Sequence, residues 1–328
     1  MATIKDIAKK AGVSTAVVSY VINNGPRAVA AETEARVRQA MEALNYHPNA
    51  RAQQLARRRS NCLGLIFNGL TDESFDGLVL GEYSRGIITY AEHAGYNVML
   101  FLNRGPDFYK RVGKMALVDG VILAGSALPT TGLSQIAEQG FPAVVIGQRV
   151  PGLAWVTQDD RGSAYTATGY LLAQGYSRIG LLGQALSLSY GQDRLEGYHN
   201  ALAEGGLDFD PALVSIPQLP RNVPTLQEVE ALIQAGADAL LTDKEIQVIE
   251  HLRRLNFRVP DQVALIGLDE DGAESRNASV TTFKAPKIEI GMVAAELVCN
   301  LIAKQSTPTT HRIVPMDLIV RNTSPARR

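Results

Sequence analysis

Ser14, Thr15, Ala16, Ser19, Tyr20 and Asn23 set small and polar side chains at helical intervals in one short stretch. Hydroxyls and amides of this size hydrogen-bond base edges and phosphate oxygens, so the chemistry they suit is recognition, not bond making. Arg194 and Asp269 suit a different partner. A guanidinium fork donates to neighbouring hydroxyl oxygens and a carboxylate accepts from hydroxyls, which is the pairing a polyol needs. Asn68, Gln148 and Thr242 close or follow short apolar runs, where open α/β sheets place ligand contacts; Arg149 and Asp243 stand beside two of them, and Asp159 and Asp160 lie just before a helix start. Read singly, any of these also fits a helix cap or a surface ion pair. Trp155 and Tyr190 offer flat faces to a sugar ring, but core packing or chance exposure accounts for them better. Catalytic sets are missing. His47, His93, His199, His251 and His311 have no metal-ligand spacing, and neither a Gly-x-Ser-x-Gly elbow nor a phosphate-cradling glycine loop with its lysine occurs. The residues point to a binding protein without cofactor or metal, not to an enzyme.

The first set needs a rigid frame. Ile4, Ile7, Ala8 and Ala11 fall at i, i+3, i+4 and i+7, the apolar stripe of a helix. Gly12 stops that helix, and Ser14 caps the next by accepting from a free amide of its first turn. Val18, Val21 and Ile22 form a second stripe and turn Thr15, Ala16, Ser19, Tyr20 and Asn23 outward. A helix, a glycine turn and a capped helix with small polar residues at its start make a DNA-reading helix-turn-helix. The alternative is a helical hairpin that only packs. From Glu32 to Asn45, Val37, Ala40, Met41 and Leu44 predict a third helix, and three helices this short need one another for a core. The proline of Tyr46-His-Pro-Asn49 breaks the chain. Ala50 to Arg59 has only Ala52, Leu55 and Ala56 as an apolar side, too little for a stable isolated helix. Beside an arginine cluster it reads as a linker that orders on a polyanion, or as a plain solvated one.

Charge separates this head from the rest. Up to Ser60 there are ten basic and four acidic residues, leaving 22 and 29 in the remainder, so a head of +6 sits on a body of −7. Basic charge gathered at one end is the electrostatic footprint of a nucleic-acid binder.

The body alternates short branched apolar runs with helix-length stretches, the rhythm of parallel sheets covered on both faces. The runs are 63–67, 98–101, 120–123, 143–146, 179–182, 239–241 and 263–266. Helices are expected over 80–94, 163–174, 193–204 and 244–255. No stretch approaches the roughly twenty apolar residues of a membrane span, and no apolar signal region follows the first lysines, so a cytoplasmic location is expected. Cys62 and Cys299 make no disulfide framework.

Across essentially its whole length the chain resembles the lactose/galactose repressor family (LacI/GalR). The resemblance rests on Ile4-Lys-Asp-Ile-Ala8, Ala11-Gly-Val-Ser14, Val18-Ser-Tyr-Val-Ile-Asn23, Leu44-Asn-Tyr-His-Pro-Asn49 and Ala52-Gln-Gln-Leu-Ala56. It implies an α/β protein with a headpiece over 1–46, a hinge over 47–60 and an effector-binding, dimerising body over 61–328. That body would resemble periplasmic sugar-binding proteins, with one subdomain over about 61–158 and 286–309 and the other over about 159–285 and 310–328. The implied DNA-facing set is Thr3, Ser14, Thr15, Ala16, Ser19, Tyr20, Asn23, Asn49, Arg51, Gln53, Leu55 and Arg57. Within it Thr15 and Ala16 face bases, Ser14 and Ser19 hold phosphates, and Leu55 enters the minor groove beside its symmetry mate. The implied effector contacts are Asn68, Gln148, Arg194, Thr242 and Asp269. Three positions depart from the family pattern: Tyr20 replaces a common base-reading arginine, Ala30 a common capping serine, and Thr242 the usual asparagine. The expected partners are pseudo-palindromic operator DNA, a sugar-like effector and a second copy of the chain. The chain ends without leucine heptads, so a dimer is the expected state. Nucleobase-like or protein corepressors, and a plain sugar receptor, are the competing readings. Loss of Arg194 or Asp269 is expected to abolish ligand response and leave the fold intact.

Overall fold

The computed structural model describes residues 2–23, 28–46, 59–68, 77–102, 107–112, 117–125, 128, 130–217, 223–269 and 277–327. The chain divides into two compact units, Met1–Asn61 and Cys62–Arg328.

The first unit holds α1 (Ile4–Ala11), α2 (Thr15–Asn23) and α3 (Ala31–Ala43). A capping box starts α1: the Thr3 hydroxyl accepts from the Asp6 amide at 3.4 Å, and the Asp6 carboxylate accepts from the Thr3 amide at 2.9 Å. Those hydrogen bonds from Thr3 hold the Asp6 carboxyl below its ordinary range. Gly12 closes α1 at φ +65°, a conformation that L side chains rarely adopt. The Ser14 hydroxyl accepts from the Val17 amide at 3.3 Å, the cap read from sequence. Ala30, by contrast, gives α3 no side-chain cap. Ile7, Val18 and Val37, one from each helix, are fully buried together. Each such side chain contributes about 1.5–3 kcal/mol, which is how so small a unit holds its helices.

The second unit is built on two six-stranded sheets. The first contains β1 (Cys62–Asn68), β2 (Asn97–Leu102), β3 (Gly120–Gly125), β4 (Ala143–Ile146), β5 (Ala154–Gln158) and β11 (His311–Val314), in the order β11-β5-β4-β3-β1-β2. The second contains β6 (Ile179–Leu182), β7 (Val214–Ser215), β8 (Ala239–Thr242), β9 (Ala264–Gly267), β10 (Thr281–Lys284) and β12 (Asp317–Ile319), in the order β12-β10-β9-β8-β6-β7. Pairing is parallel except between β10 and β12. The strands β4, β6, β8 and β9 are buried at every residue, which is why they read as unbroken apolar runs.

Helices α4 (Gly77–His93) and α11 (Lys287–Ile302) pack on the first sheet. Helices α7 (Asp160–Ala173) and α8 (Ser189–Glu204) pack on the second. The expected division gave all of 310–328 to the second subdomain, and here the structure differs. His311–Val314 pairs with Trp155–Gln158 in the first sheet, and the Asp159 amide donates to the Val314 carbonyl at 2.9 Å. The last crossing therefore falls between Val314 and Asp317. A four-residue strand opening on His-Arg carries too weak a period to reveal its sheet from sequence.

Candidate functional site

On the headpiece, Ser14, Thr15 and Ala16 are exposed at the start of α2, while Ser19 and Tyr20 are half-buried. Asn23 ends the helix. The Ser14 and Thr3 hydroxyls already serve their caps, so both residues shape the surface as well as lie near it. Asn49, Arg51, Gln53, Leu55 and Arg57 lie outside the described residues.

In the body, the strand ends of both sheets converge on one charged cluster. Arg194, in the second turn of α8, is only 3% exposed. Its Nε and Nη2 donate to Asp160 Oδ1 at 2.9 and 2.8 Å, and its Nη1 lies 3.2 Å from Asp243 Oδ2. Asp160 opens α7 directly after β5, so the pair depends on how closely α7 and α8 approach. Gly197 permits that approach: a Cβ there would sit 2.1 Å from the Arg161 carbonyl oxygen. Gln158 Nε2 adds a 3.1 Å bond to Asp160, and Gln184 Nε2 donates to both oxygens of Asp243 at 2.6 and 2.7 Å. Asp243 is in place because the buried Thr242 hydroxyl accepts from the Lys244 amide at 3.0 Å and fixes the turn after β8. Thr242 thus supports the site while Asp243 faces Arg194.

Asp269 lies just beyond β9, half-buried, and accepts from Lys287 Nζ at 3.2 Å. Lys287 starts α11, which crosses α4 closely at two glycines. A Cβ on Gly86 would meet the Ile288 carbonyl at 2.0 Å, and one on Gly291 the Tyr83 carbonyl at 2.4 Å. The same crossing brings Tyr83 to the cluster, where burial and the charges of Asp269 and Asp160 push its phenol far above its ordinary range. The Arg194 guanidinium lies 5.6 Å from the Tyr190 ring centroid, and burial pushes the Tyr190 hydroxyl up to about 12. Gln148, after β4, is half-buried with an Nε2 that has no hydrogen-bond partner among the described residues. Asn68 ends β1 beside Gly125. Trp155 is elsewhere, stacked on His311 at 4.6 Å on the β5–β11 edge.

Two protonation states follow. Burial alone would push Arg194 down, but the charges of Asp160, Asp243 and Asp269 outweigh it and hold the guanidinium protonated. Burial raises Asp160 to about 6 against the opposing pull of Arg194 and Gln158. This burial bears on the expectation that the chain stays folded when Arg194 is lost. Truncation leaves the buried Asp160 and the partly buried Asp243 without their counter-charge, a loss of about 3–5 kcal/mol. Of the site residues, Tyr83 and Lys287 were missed. Asp160 and Asp243 had a signal, an acidic residue directly after an apolar strand; Tyr83 and Lys287, mid-helix and helix-start residues, had none.

A helix-turn-helix unit in one chain with a two-sheet body that gathers polar groups at its strand ends defines a class, that of ligand-binding DNA regulators. Residues 3–49 match the lacI family of bacterial regulatory proteins. Residues 62–241 match the periplasmic binding proteins and sugar-binding domain of that family, and 168–324 a periplasmic binding protein-like domain. The chain is 31% identical over 349 residues to the HTH-type transcriptional regulator GalR of Escherichia coli, spanning 98% of this chain and 95% of that one. A structure of the transcriptional regulator CelR–cellobiose complex superposes with TM-score 0.71 at 26% identity, covering 98% of this chain and all of the other. The lac repressor dimer bound to operator shares the fold, with TM-score 0.75 at 23% identity and 99% of each chain covered. The chain belongs to the LacI family and is a transcriptional regulator. No helix of the described residues is long and apolar enough to cross a membrane.

Proposed function

We propose that the chain is a cytoplasmic, dimeric repressor whose affinity for a pseudo-palindromic operator is set by a sugar-like effector in the cleft between its two sheets. The observation that carries this reading is the pairing of an exposed Ser14-Thr15-Ala16 surface with a buried Arg194 ringed by hydrogen-bonding groups on separate elements. Two headpieces, one per protomer, read one half-site each, as two-fold symmetry demands. The cluster offers hydrogen bonds to a ligand, and the reading is of a binding site.

The cleft also carries the means of response. Arg149 follows β4 of the first sheet, and its Nη2 donates to Asp193 Oδ1 of α8 at 2.6 Å, while its amide donates to the Ser189 hydroxyl at 3.2 Å. Lys287 and Asp269 make a second link between elements of the two sheets. A ligand that binds between these links favours one angle between the sheets over another, and that difference in affinity is what shifts the population. A second copy suits the open edge of the first sheet. There Leu100 on β2 and Ile88 on α4 are 49% and 50% exposed beside Met99, an apolar edge that a folded monomer leaves open to association.

The test is selection of DNA from a random pool by the full-length chain, with the oligomeric state measured in parallel. A two-fold symmetric motif bound by a dimer supports the reading; an asymmetric motif or a monomeric complex overturns it.

A further inference from the structure

We infer that the cleft takes an uncharged, hydroxyl-rich ligand and turns away sugar phosphates and other anions. The inference rests on the effector reading above and narrows it.

A site for a phosphate or carboxylate group needs cationic donors whose charge is not already spent on the protein. Here Arg194, Lys287 and Arg149 each face a carboxylate at hydrogen-bonding distance: Asp160 and Asp243 for the first, Asp269 for the second, Asp193 for the third. Around Arg194 stand three carboxylates, Asp160, Asp243 and Asp269, whose charges all act on its guanidinium. Against them are Arg194 and Lys287, so the cluster is one negative charge in excess when every group is ionised. A phosphate ester, nearly a dianion at neutral pH, would enter against that excess, in an interior where charge is weakly screened.

Neutral hydroxyls meet no such barrier and find partners of both kinds. Three of the five guanidinium N–H donors of Arg194 are used on Asp160 and Asp243, which leaves two for ligand oxygens. Gln148 Nε2 is a further donor without a partner among the described residues, and Asp269 engages Lys287 through one oxygen only, leaving the other to accept. A sugar hydroxyl both donates and accepts, so it can satisfy either set. The Tyr190 ring beneath Arg194 supplies a flat face for the apolar side of a sugar ring.

The test uses matched pairs on the full-length chain: D-galactose with its 1-phosphate, D-glucose with its 6-phosphate, D-ribose with its 5-phosphate, read by thermal shift and calorimetry near pH 7.5. At least one neutral sugar should bind, with its phosphate ester about 100-fold weaker or worse, the discrimination that like-charge juxtaposition imposes. Asp243→Asn removes one unit of the excess and should narrow that gap. A phosphate ester that binds as well as its neutral partner, or a panel in which no neutral sugar binds, overturns the inference. Binding to a selected operator separates the two readings: an ester that binds and shifts operator affinity sinks this inference and leaves the regulator intact.

Discussion

Asp160 and Arg194, 34 positions apart, meet as a buried ion pair in which Nε and Nη2 of one guanidinium converge on a single carboxylate oxygen. The pair joins the first turn of α7 to α8, and through Asp243 it reaches the end of β8. The side chain proposed to hold the ligand is therefore also a brace between elements, and its removal should have two separable consequences.

Arg194→Ala should cost about 3–5 kcal/mol of unfolding free energy, because the buried Asp160 and the partly buried Asp243 lose their counter-charge. Ligand binding should vanish in the fraction that remains folded. Arg194→Lys keeps the charge but not the fork and should recover part of the stability with little of the binding. Urea unfolding beside calorimetry measures both.

The same pair makes stability depend on pH. The Asp160 carboxyl is raised from 3.8 to about 6, so the folded chain holds this proton more tightly than the unfolded one. Its favourable contribution is complete below the unfolded value and is lost as pH rises through the folded one. Between about pH 4 and about 6.5, wild type should lose stability relative to Asp160→Asn as pH increases. Parallel melting curves for the two proteins across that range would exclude the shift.

Arg149 and Asp193 form the partly exposed link across the cleft, with side chains 38% and 15% exposed. A pair this solvated is worth about 0.2–1 kcal/mol, too little to unfold the chain but enough to move a balanced equilibrium several-fold. Arg149→Ala and Asp193→Ala should each change ligand affinity by up to about five-fold in the same direction, with non-additive effects in the double variant. Additive effects in the double-mutant cycle would mean that the link is not coupled to closure.

On the headpiece, changing Thr15 or Ala16 should alter the motif selected from random DNA. Neutralising Arg57, Arg58 and Arg59 should flatten the salt dependence of binding by up to about 0.9 in log–log slope for each DNA phosphate that is no longer neutralised. Leu55→Ala should weaken operator binding far more than random-sequence binding, since a wedge in the minor groove serves only the specific complex. An unchanged motif, an unchanged slope or equal losses would each remove the corresponding residues from the interface.

The sequence made the headpiece legible because its signals are local. Gly12 at φ +65°, the Ser14 cap and the Ile7, Val18 and Val37 core were all readable from spacing, and the capping box of Thr3 and Asp6 was there to be read as well. Strands such as Ala143–Ile146 were equally plain, since a strand buried on both faces leaves an apolar run. The cleft was half legible. Arg194 and Asp269 stood out by chemistry, but their partners come from four separate elements, and only folding brings Asp160, Asp243, Tyr83 and Lys287 to them. Strands β10 and β11 escaped for another reason: Thr281-Thr-Phe-Lys284 and His311-Arg-Ile-Val314 are short and polar enough to read as loops.

The central claim is that occupancy of the cleft controls DNA affinity. Fluorescence anisotropy of a labelled, selected operator, titrated with the full-length chain at fixed salt, tests it when repeated with saturating amounts of whichever sugar stabilises the protein. Coupling of the usual size predicts an operator Kd that changes about 5- to 150-fold. An operator Kd that stays the same while the body is saturated with ligand would contradict the account.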